Sequence, residues 1–422
     1  MPSSHIRSSI RVRFLSFTVV LLLLTTVPLF AQKADLSRLV IVGDSLSAGY
    51  QNSSLISTSQ VHGFAAVLAA QAGIDLKLPL IASPGAPNAL TLISVKPLIV
   101  QPLPGATTGR MDPSTQTMNL AVPGQFLSDA LNKPPDFSFD DHTDLILGLP
   151  GVAAGISKSQ IEWAEAIQPT TVIVWLGNND ALWAAIDGDP DQLTPISNFR
   201  SDYKAVMDRL SATGATLVTA NIPDVNVIPY LIPAETVAAQ VGAPLAYIGP
   251  ALGITTGDYV TLDGASLISE ILQNPASGPL PGSAVVTAAE AATIHEYVLA
   301  YNLIIADEAA AHAAPVVDIN ALLSEIKRKG LVVGGQRLTA DYLGGIFSLD
   351  GIHPTNTGYA IVANEFIKTM NRQFAAGIPP VSLVNIAKDD PLVLPGVGHP
   401  AKSLPKLTPE SSQQLRAVFG HK

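Results

Sequence analysis

Short apolar runs that alternate with helical patterns constrain the fold more than any other feature of this sequence. A run such as Thr170–Leu176 (TTVIVWL) is rich in β-branched residues and has the length of a strand buried on both faces of a sheet. The predicted strands are Leu36–Val42, Thr117–Val122, Thr170–Leu176, Ala215–Asn221 and Pro315–Ile319. The predicted helices are Gly63–Ala72, Pro123–Lys133, Ser157–Gln168, Pro195–Ala212, Thr287–Ala313 and Thr355–Phe374. This alternation predicts an α/β domain in which helices cover both faces of a parallel sheet.

Two long stretches interrupt the alternation. Residues 74–118 hold seven prolines, and residues 226–285 are rich in proline, glycine and small residues. Loops of this length are usually functional or disordered. Their apolar content favours ordered insertions that cover part of the ligand crevice over flexible linkers. We therefore predict one domain over residues 32–376 with two insertions, followed by a proline-containing tail at 377–422.

Residues 1–31 have the layout of a secretory signal peptide. Three arginines precede an apolar run at 14–30, and Ala31 offers a small residue at a cleavage point. The alternative is a membrane anchor of about 17 residues, at the lower end of the spanning range, and Thr25, Thr26 and Pro28 inside the run disfavour it. Removal of residues 1–31 changes the net charge from −10 to −13. We expect a secreted or periplasmic protein that has no stable membrane span after cleavage.

Composition and missing motifs exclude several function classes. The net charge of −10 argues against a nucleic-acid partner, which needs a basic face. The chain has no cysteine, so it has neither a thiol nucleophile nor a thiolate metal site. It contains no G-x-S-x-G elbow, Walker loop or G-x-G-x-x-G fingerprint. His295-Glu296 begins a zinc-protease pattern, but Leu299 stands where the second histidine is required, so we predict no metal site.

Polar motifs follow three of the predicted strands, and another precedes the last helix. Gly43-Asp44-Ser45-Leu46 follows the first strand, Ala121-Val122-Pro123-Gly124 ends the second, and Gly177-Asn178-Asn179-Asp180 follows the third. Asp350-Gly351-Ile352-His353-Pro354 leads into the last helix. Each motif alone is also typical of a turn or a helix cap. Because the carboxyl ends of parallel strands meet at the ligand crevice, their combination favours a serine nucleophile, an amide donor and an imidazole oriented by a carboxylate.

These motifs resemble those of the SGNH/GDSL hydrolase family of secreted esterases and lipases, and they occur in the family's order. The resemblance implies a flavodoxin-like fold with a five-stranded parallel sheet and no cofactor. It implies that Ser45 is the nucleophile, His353 the general base and Asp350 the partner of that histidine. It also implies an oxyanion hole formed by the Ser45 N–H, the Gly124 N–H and the Asn179 side chain.

The implied reaction is hydrolysis of a carboxylic ester through an acyl-enzyme, with a small-molecule or lipid ester as the substrate. Bulky apolar insertions near the crevice favour a lipase-like or carboxylesterase activity. Two alternatives stay open, a carbohydrate O-acetyl esterase that uses the same site and a non-catalytic binding module on the same fold. Trp183 is either a pocket wall or a core residue, and His295 and His312 are expected to be ordinary histidines of a long helix.

Overall fold

The computed structural model describes residues 34–107, 109–138, 141–148 and 156–394, together with Met1, Leu404, 406–408 and 410–413. Apart from Met1, the predicted signal peptide at 1–31 lies outside the described residues, as does much of the predicted tail beyond residue 394. Among the helices that are described, none combines the length and the apolar character that crossing a bilayer requires.

Strands and helices alternate along the described chain. The strands are β1 (Leu39–Gly43), β2 (Leu90–Val95), β3 (Leu98–Pro102), β4 (Thr171–Trp175), β5 (Thr216–Ala220), β6 (Leu231–Pro233), β7 (Tyr259–Thr261), β8 (Val285–Val286), β9 (Val316–Val317), β10 (Leu331–Val333), β11 (Gln336–Leu338) and β12 (Lys406–Leu407). The helices are α1 (Ser45–Ala48), α2 (Ser57–Gln60), α3 (Phe64–Gln71), α4 (Leu127–Asn132), α5 (His142–Leu147), α6 (Gln160–Ile167), α7 (Asn179–Asp187), α8 (Ile196–Ala212), α9 (Ala234–Val241), α10 (Leu245–Leu252), α11 (Leu262–Ala265), α12 (Ile268–Gln273), α13 (Ala288–Ala311), α14 (Ile319–Lys329), α15 (Asn356–Phe374) and α16 (Leu383–Asp389). Short 3-10 turns lie at Pro190–Gln192, Val225–Val227, Pro275–Ser277 and Gly282–Ala284.

The central sheet is parallel and joins strands in the order β1-β4-β5-β9. The segment 118–122 runs along the other edge of β1 and exchanges three backbone hydrogen bonds with Ile41 and Gly43. Counted along the chain, the five segments therefore lie in the order 2-1-3-4-5, which is the flavodoxin-like order. In that order the ligand crevice lies where β1 and β4 meet. The register pairs Gly43 with Trp175, so both strands end at the same edge.

The structure confirms the predicted α/β fold, but it assigns four strands to the central sheet where five were expected. The difference concerns the strand predicted at Thr117–Val122, which makes only an isolated bridge between Ile41 and Asn119. The Gly43 N–H explains this, since it donates to Oε1 of Gln160 at 3.0 Å and not to segment 118–122. The second bridge of a regular parallel ladder therefore lacks its donor. The fifth position of the sheet is therefore occupied but irregular.

Aromatic side chains pack the helices against the sheet in two layers. In one layer α3 and α15 meet through the stacked rings of Phe64 and Phe366, whose centroids are 4.5 Å apart, and both rings contact Trp175 of β4. In the other layer α8 and α13 meet through Phe199 and Tyr301, with ring centroids 4.0 Å apart. All five side chains are buried. Burial of large apolar side chains is the main driving force for folding, so these layers fix the sheet whose edge carries the polar motifs.

The two stretches that interrupt the alternation contain small sheets of their own. The hairpin β2–β3 lies within 74–118, and the short β12 adds to it in parallel. The sheet β6–β7–β8 is antiparallel and belongs largely to 226–285. The second stretch reaches the turn before α15, where the Tyr230 N–H donates to the Gly351 carbonyl at 2.9 Å. It therefore lies against the motif that contains Asp350 and His353.

Candidate active site

Ser45 is the first residue of α1 and follows β1 by a tight turn. The Asp44 carboxylate caps the helix by accepting the Leu46 N–H at 3.1 Å. Gly43 is required because a Cβ at this position would lie 2.9 Å from the Trp175 carbonyl and still closer to α1. The turn thus holds Ser45 at the edge of the sheet, with 6% of its surface exposed.

Asp350 and His353 form a buried pair in the turn before α15. The Nδ1 atom of His353 lies 3.0 Å from Oδ2 of Asp350, and the two side chains are 1% and 0% exposed. Because a carboxylate can only accept a hydrogen bond, Nδ1 carries a proton in this pair, and Nε2 of the neutral ring is then an acceptor. This is the tautomer that a general base of a serine hydrolase needs.

The Asp350 carboxylate is surrounded by hydrogen-bond donors. Its Oδ1 accepts the N–H groups of Ile352 at 2.9 Å and His353 at 2.8 Å, and its Oδ2 accepts the Ser53 N–H at 2.7 Å. Burial raises the pKa of Asp350, but the electrostatic interaction with His353 and these hydrogen bonds outweigh burial and bring the pKa below its ordinary value. The carboxylate therefore stays ionised and fixed beside the imidazole.

The segment 50–53 supports this pair from a distant part of the chain. The Asn52 Oδ1 accepts the Leu349 N–H at 3.0 Å across 297 positions of sequence. The Tyr50 ring packs on the His353 ring, with 4.8 Å between their centroids. Sequence reasoning missed both residues because nothing in their local pattern shows that they contact the last motif.

The two other predicted donors, Gly124 and Asn179, are brought close together. Gly124 lies in the turn after segment 118–122 with a φ of 81°, which favours glycine. Asn179 begins α7 directly after the end of β4. Its Nδ2 donates to the carbonyl of Gln125, the residue after Gly124, at 2.8 Å. A primary amide has two N–H donors, and one of them thus holds the glycine turn against the end of β4.

Buried polar side chains fix this glycine turn to both strands. The Oε1 of Gln160 accepts the Gly43 N–H at 3.0 Å, and its Nε2 donates to Oε1 of Gln125 at 2.5 Å. On the other side, Oδ2 of Asp180 accepts the Leu127 N–H at 3.0 Å. Gln160 is a further residue that sequence reasoning missed, because a glutamine in a predicted amphipathic helix gives no signal that it is buried.

Two carboxyl groups near Ser45 have raised pKa values. Burial is the largest influence on both, and it raises the pKa of Asp44 to about 6 and that of Asp180 to about 7. Hydrogen bonds from Asn178 Nδ2 to Asp44 and from Thr194 Oγ1 to Asp180, each 2.7 Å long, oppose this rise only in part. The negative charge of Asp44 adds to the rise at Asp180. Both groups therefore change protonation near neutral pH.

Ser45 and His353 line one pocket at the carboxyl ends of β1, β4 and β5. Its remaining walls are mainly apolar and include Leu182, Ile222, Ile228, Leu323, Phe347 and Ile352. Among the described residues that line it, Gly124 and Asn179 do not appear. The structure thus brings Ser45 and the Asp350–His353 pair to one pocket and joins Gly124 to Asn179 beside it.

Two open questions from the sequence are resolved by the packing. Trp183 is a core residue, since it is 1% exposed, stacks on Phe126 and is not part of the pocket wall. His295 is not an isolated histidine, because its Nδ1 hydrogen-bonds the Asp224 carboxylate 71 positions away, and Asp224 lines the pocket. The part of the chain that is described contains no cluster of three or more histidine, aspartate or glutamate side chains that could hold a metal ion.

Comparisons with known proteins show which family the chain belongs to. The sequence matches the model of the GDSL-like lipase/acylhydrolase family over residues 39–366. A search of curated proteins finds no match to the chain.

Solved structures give weaker likenesses. The psychrotrophic esterase EstA from Pseudoalteromonas sp. has 12% identity and a TM-score of 0.35, with coverage of 79% of this chain and 97% of that chain. The lipase/acylhydrolase from Enterococcus faecalis has 13% identity and a TM-score of 0.32, covering 82% and 98% of the two chains. A variant of an acetyl xylan esterase from Geobacillus stearothermophilus has 12% identity and a TM-score of 0.35, covering 79% and 93%. Scores this low carry no weight in assigning the family.

The family assignment therefore depends on the sequence match. That match extends over well more than half of the chain and includes every polar motif described above. The protein belongs to the GDSL-like lipase/acylhydrolase family and is an ester-hydrolysing enzyme.

Proposed function

We propose that the protein is a serine esterase that hydrolyses carboxylic esters through an acyl-enzyme on Ser45. The observation that carries this proposal is the buried Asp350–His353 pair, whose histidine lines the same pocket as Ser45. The pair offers an oriented base, and the pocket offers space for an ester beside the serine hydroxyl.

In the first half of the proposed reaction, Oγ of Ser45 attacks the ester carbonyl carbon. The Nε2 of His353 takes the proton from Oγ and then gives it to the leaving alcohol as the ester C–O bond breaks. In the second half, water attacks the acyl group on Ser45 while His353 takes a proton from that water. The bond between the acyl carbon and Oγ then breaks, and His353 gives the proton to Oγ. Asp350 stabilises the imidazolium that forms in each half.

The proposed oxyanion hole consists of the Ser45 N–H, the Gly124 N–H and the Asn179 side chain. The bond from Asn179 Nδ2 to the Gln125 carbonyl supports it, because that bond holds the amide and the glycine turn together. A preorganised donor of this kind typically raises the turnover rate about 10²–10³-fold.

We also propose that the enzyme acts outside the cytoplasm, either secreted or in the periplasm. The proposal is supported by the arginines, the apolar run and the small residue within 1–31. N-terminal sequencing of the exported protein tests it, with a new N-terminus at or near residue 32 as the expected result.

The function is tested by hydrolysis of p-nitrophenyl esters from acetate to palmitate. We expect turnover by the wild type and a loss of about 10⁴-fold or more in Ser45→Ala, because the attacking oxygen is gone. Ser47→Ala is the matched control, since Ser47 lies in the same short helix, is buried, and has an Oγ without a hydrogen-bond partner among the described residues. Full activity in Ser45→Ala, or equal losses in both variants, would contradict the proposal.

A further inference from the structure

The pocket beside Ser45 and His353 is small. Its cavity volume is about 50 Å³. A cavity needs roughly 10–15 Å³ to hold one water, so this one has room for only a few non-hydrogen atoms. Apolar side chains from β4, from the loop after β5 and from the second insertion line it, and the lining residues Trp175 and Val362 are themselves buried.

We propose that this pocket is the acyl site and that it selects acyl chains of about two to four carbons, so that the substrates are short-chain esters. This inference depends on the serine esterase function proposed above. The assignment to the acyl side follows from the order of the reaction. The alcohol must depart to solvent while the acyl group stays bonded to Ser45, so a pocket with closed inner walls suits the acyl group.

Ile228 is the side chain that we expect to limit chain length. It lines the pocket from the beginning of the second insertion and is 6% exposed, so it does not belong to the innermost wall. Shortening it enlarges the pocket without disturbing Ser45, His353 or the residues that hold them. Ile271 of α12 is the matched control, because it is the same residue type, lies in the same insertion, is also 6% exposed and does not line the pocket.

The test measures kcat/KM for p-nitrophenyl acetate, butyrate, hexanoate, octanoate and decanoate. For the wild type we expect a maximum at acetate or butyrate and a fall of at least about tenfold by octanoate, since an extra methylene group in a closed pocket typically costs 10-fold or more. We expect Ile228→Ala to move the maximum to a longer chain, while Ile271→Ala keeps the wild-type profile. If either alanine variant fails to fold, Ile228→Val and Ile271→Val form the same matched pair with a smaller change in volume.

A second series of acetate esters with alcohols of increasing length tests the acyl assignment. We expect a much flatter dependence on alcohol length than on acyl length. A maximum at hexanoate or longer in the wild type would overturn the inference and leave the serine esterase function intact. Steep selection in the alcohol series only, or equal shifts in the Ile228 and Ile271 variants, would also overturn it. Absence of hydrolysis of every ester would instead overturn the proposed function.

Discussion

Asp350 and Asp44 are both fully buried near Ser45, yet their pKa values are shifted in opposite directions. Asp350 accepts three backbone N–H groups and faces His353, and its pKa lies below the ordinary value. Asp44 accepts the Leu46 N–H and the Asn178 side-chain N–H, and burial raises its pKa to about 6. Burial alone therefore does not decide whether a carboxyl group is charged. The hydrogen bonds and the imidazole contact at Asp350 outweigh its burial, whereas the interactions at Asp44 do not.

Asp180 extends the comparison on the Asp44 side. It has one hydroxyl donor and one backbone donor, it faces Asp44 and Asp129, and its pKa is raised to about 7. The turn before α15 is thus built to keep a negative charge beside an imidazole. At the ends of β1 and β4, by contrast, the carboxyl groups of Asp44 and Asp180 cap a helix and hydrogen-bond a loop, and they stay protonated up to near neutral pH.

The largest effect that separates the two regions is expected for Asp350→Asn. The substitution removes the charge that stabilises the imidazolium and the acceptor that fixes the tautomer of His353. We expect kcat for ester hydrolysis to fall by about 10³–10⁴, as in other triads in which the carboxylate is replaced by its amide. Steady-state kinetics on p-nitrophenyl acetate measure this fall.

Asp390→Asn provides the control for that substitution. Asp390 is also a buried carboxylate, and it accepts the N–H groups of Thr357 and Leu392 at 2.7 and 3.0 Å, but no histidine among the described residues hydrogen-bonds it. We expect this variant to lose stability and keep its turnover. Equal losses of kcat in both variants would mean that Asp350 acts only as a structural acceptor, and the contrast with Asp44 would then have no catalytic meaning.

A smaller effect is expected in the pH dependence of stability. A carboxyl group whose pKa is raised by folding stabilises the fold fully below its unfolded pKa, and that stabilisation is lost as the pH rises through the folded pKa. Asp44 and Asp180 therefore lower the free energy of unfolding between about pH 4 and pH 7, by at most about 1.4 kcal/mol per pH unit for each proton. Asp350 has the opposite sign, because its contribution is lost only as the pH falls below about 4.

Urea unfolding of the wild type at pH 5, 6, 7 and 8 measures this slope. We expect Asp44→Asn and Asp180→Asn each to flatten it, and Asp350→Asn to leave it unchanged in this range. If the Asp44 and Asp180 variants retain the full wild-type slope, the raised pKa values are wrong and the two regions do not differ in the way described.

The parts of the site that the sequence predicts are those with a local signal. Ser45 and Asn179 directly follow apolar runs, and Asp350 and His353 are three residues apart in one turn. The ends of the runs at β1 and β4 are predicted within a few residues because buried parallel strands are continuous and apolar. The same logic overestimated the strand at 117–122, since it does not count the bond of the Gly43 N–H to the side chain of Gln160.

The supporting contacts have no local signal, because they join residues that are far apart in sequence. Asn52 and Leu349 are 297 positions apart, and Asp224 and His295 are 71 apart. The absence of a nearby carboxylate made His295 look like an ordinary helix residue. Only the packing of the segment after β5 against α13 shows that His295 carries a partner for a pocket carboxylate.

The most direct test of the catalytic account is covalent labelling of Ser45. The wild type is incubated with a p-nitrophenyl alkylphosphonate, and the released p-nitrophenol and the mass of the chain are measured together. We predict one equivalent of p-nitrophenol, one phosphonyl adduct on the peptide that contains Ser45, and no adduct in Ser45→Ala. A stoichiometric adduct on another residue, or the same adduct in Ser45→Ala, would contradict the account.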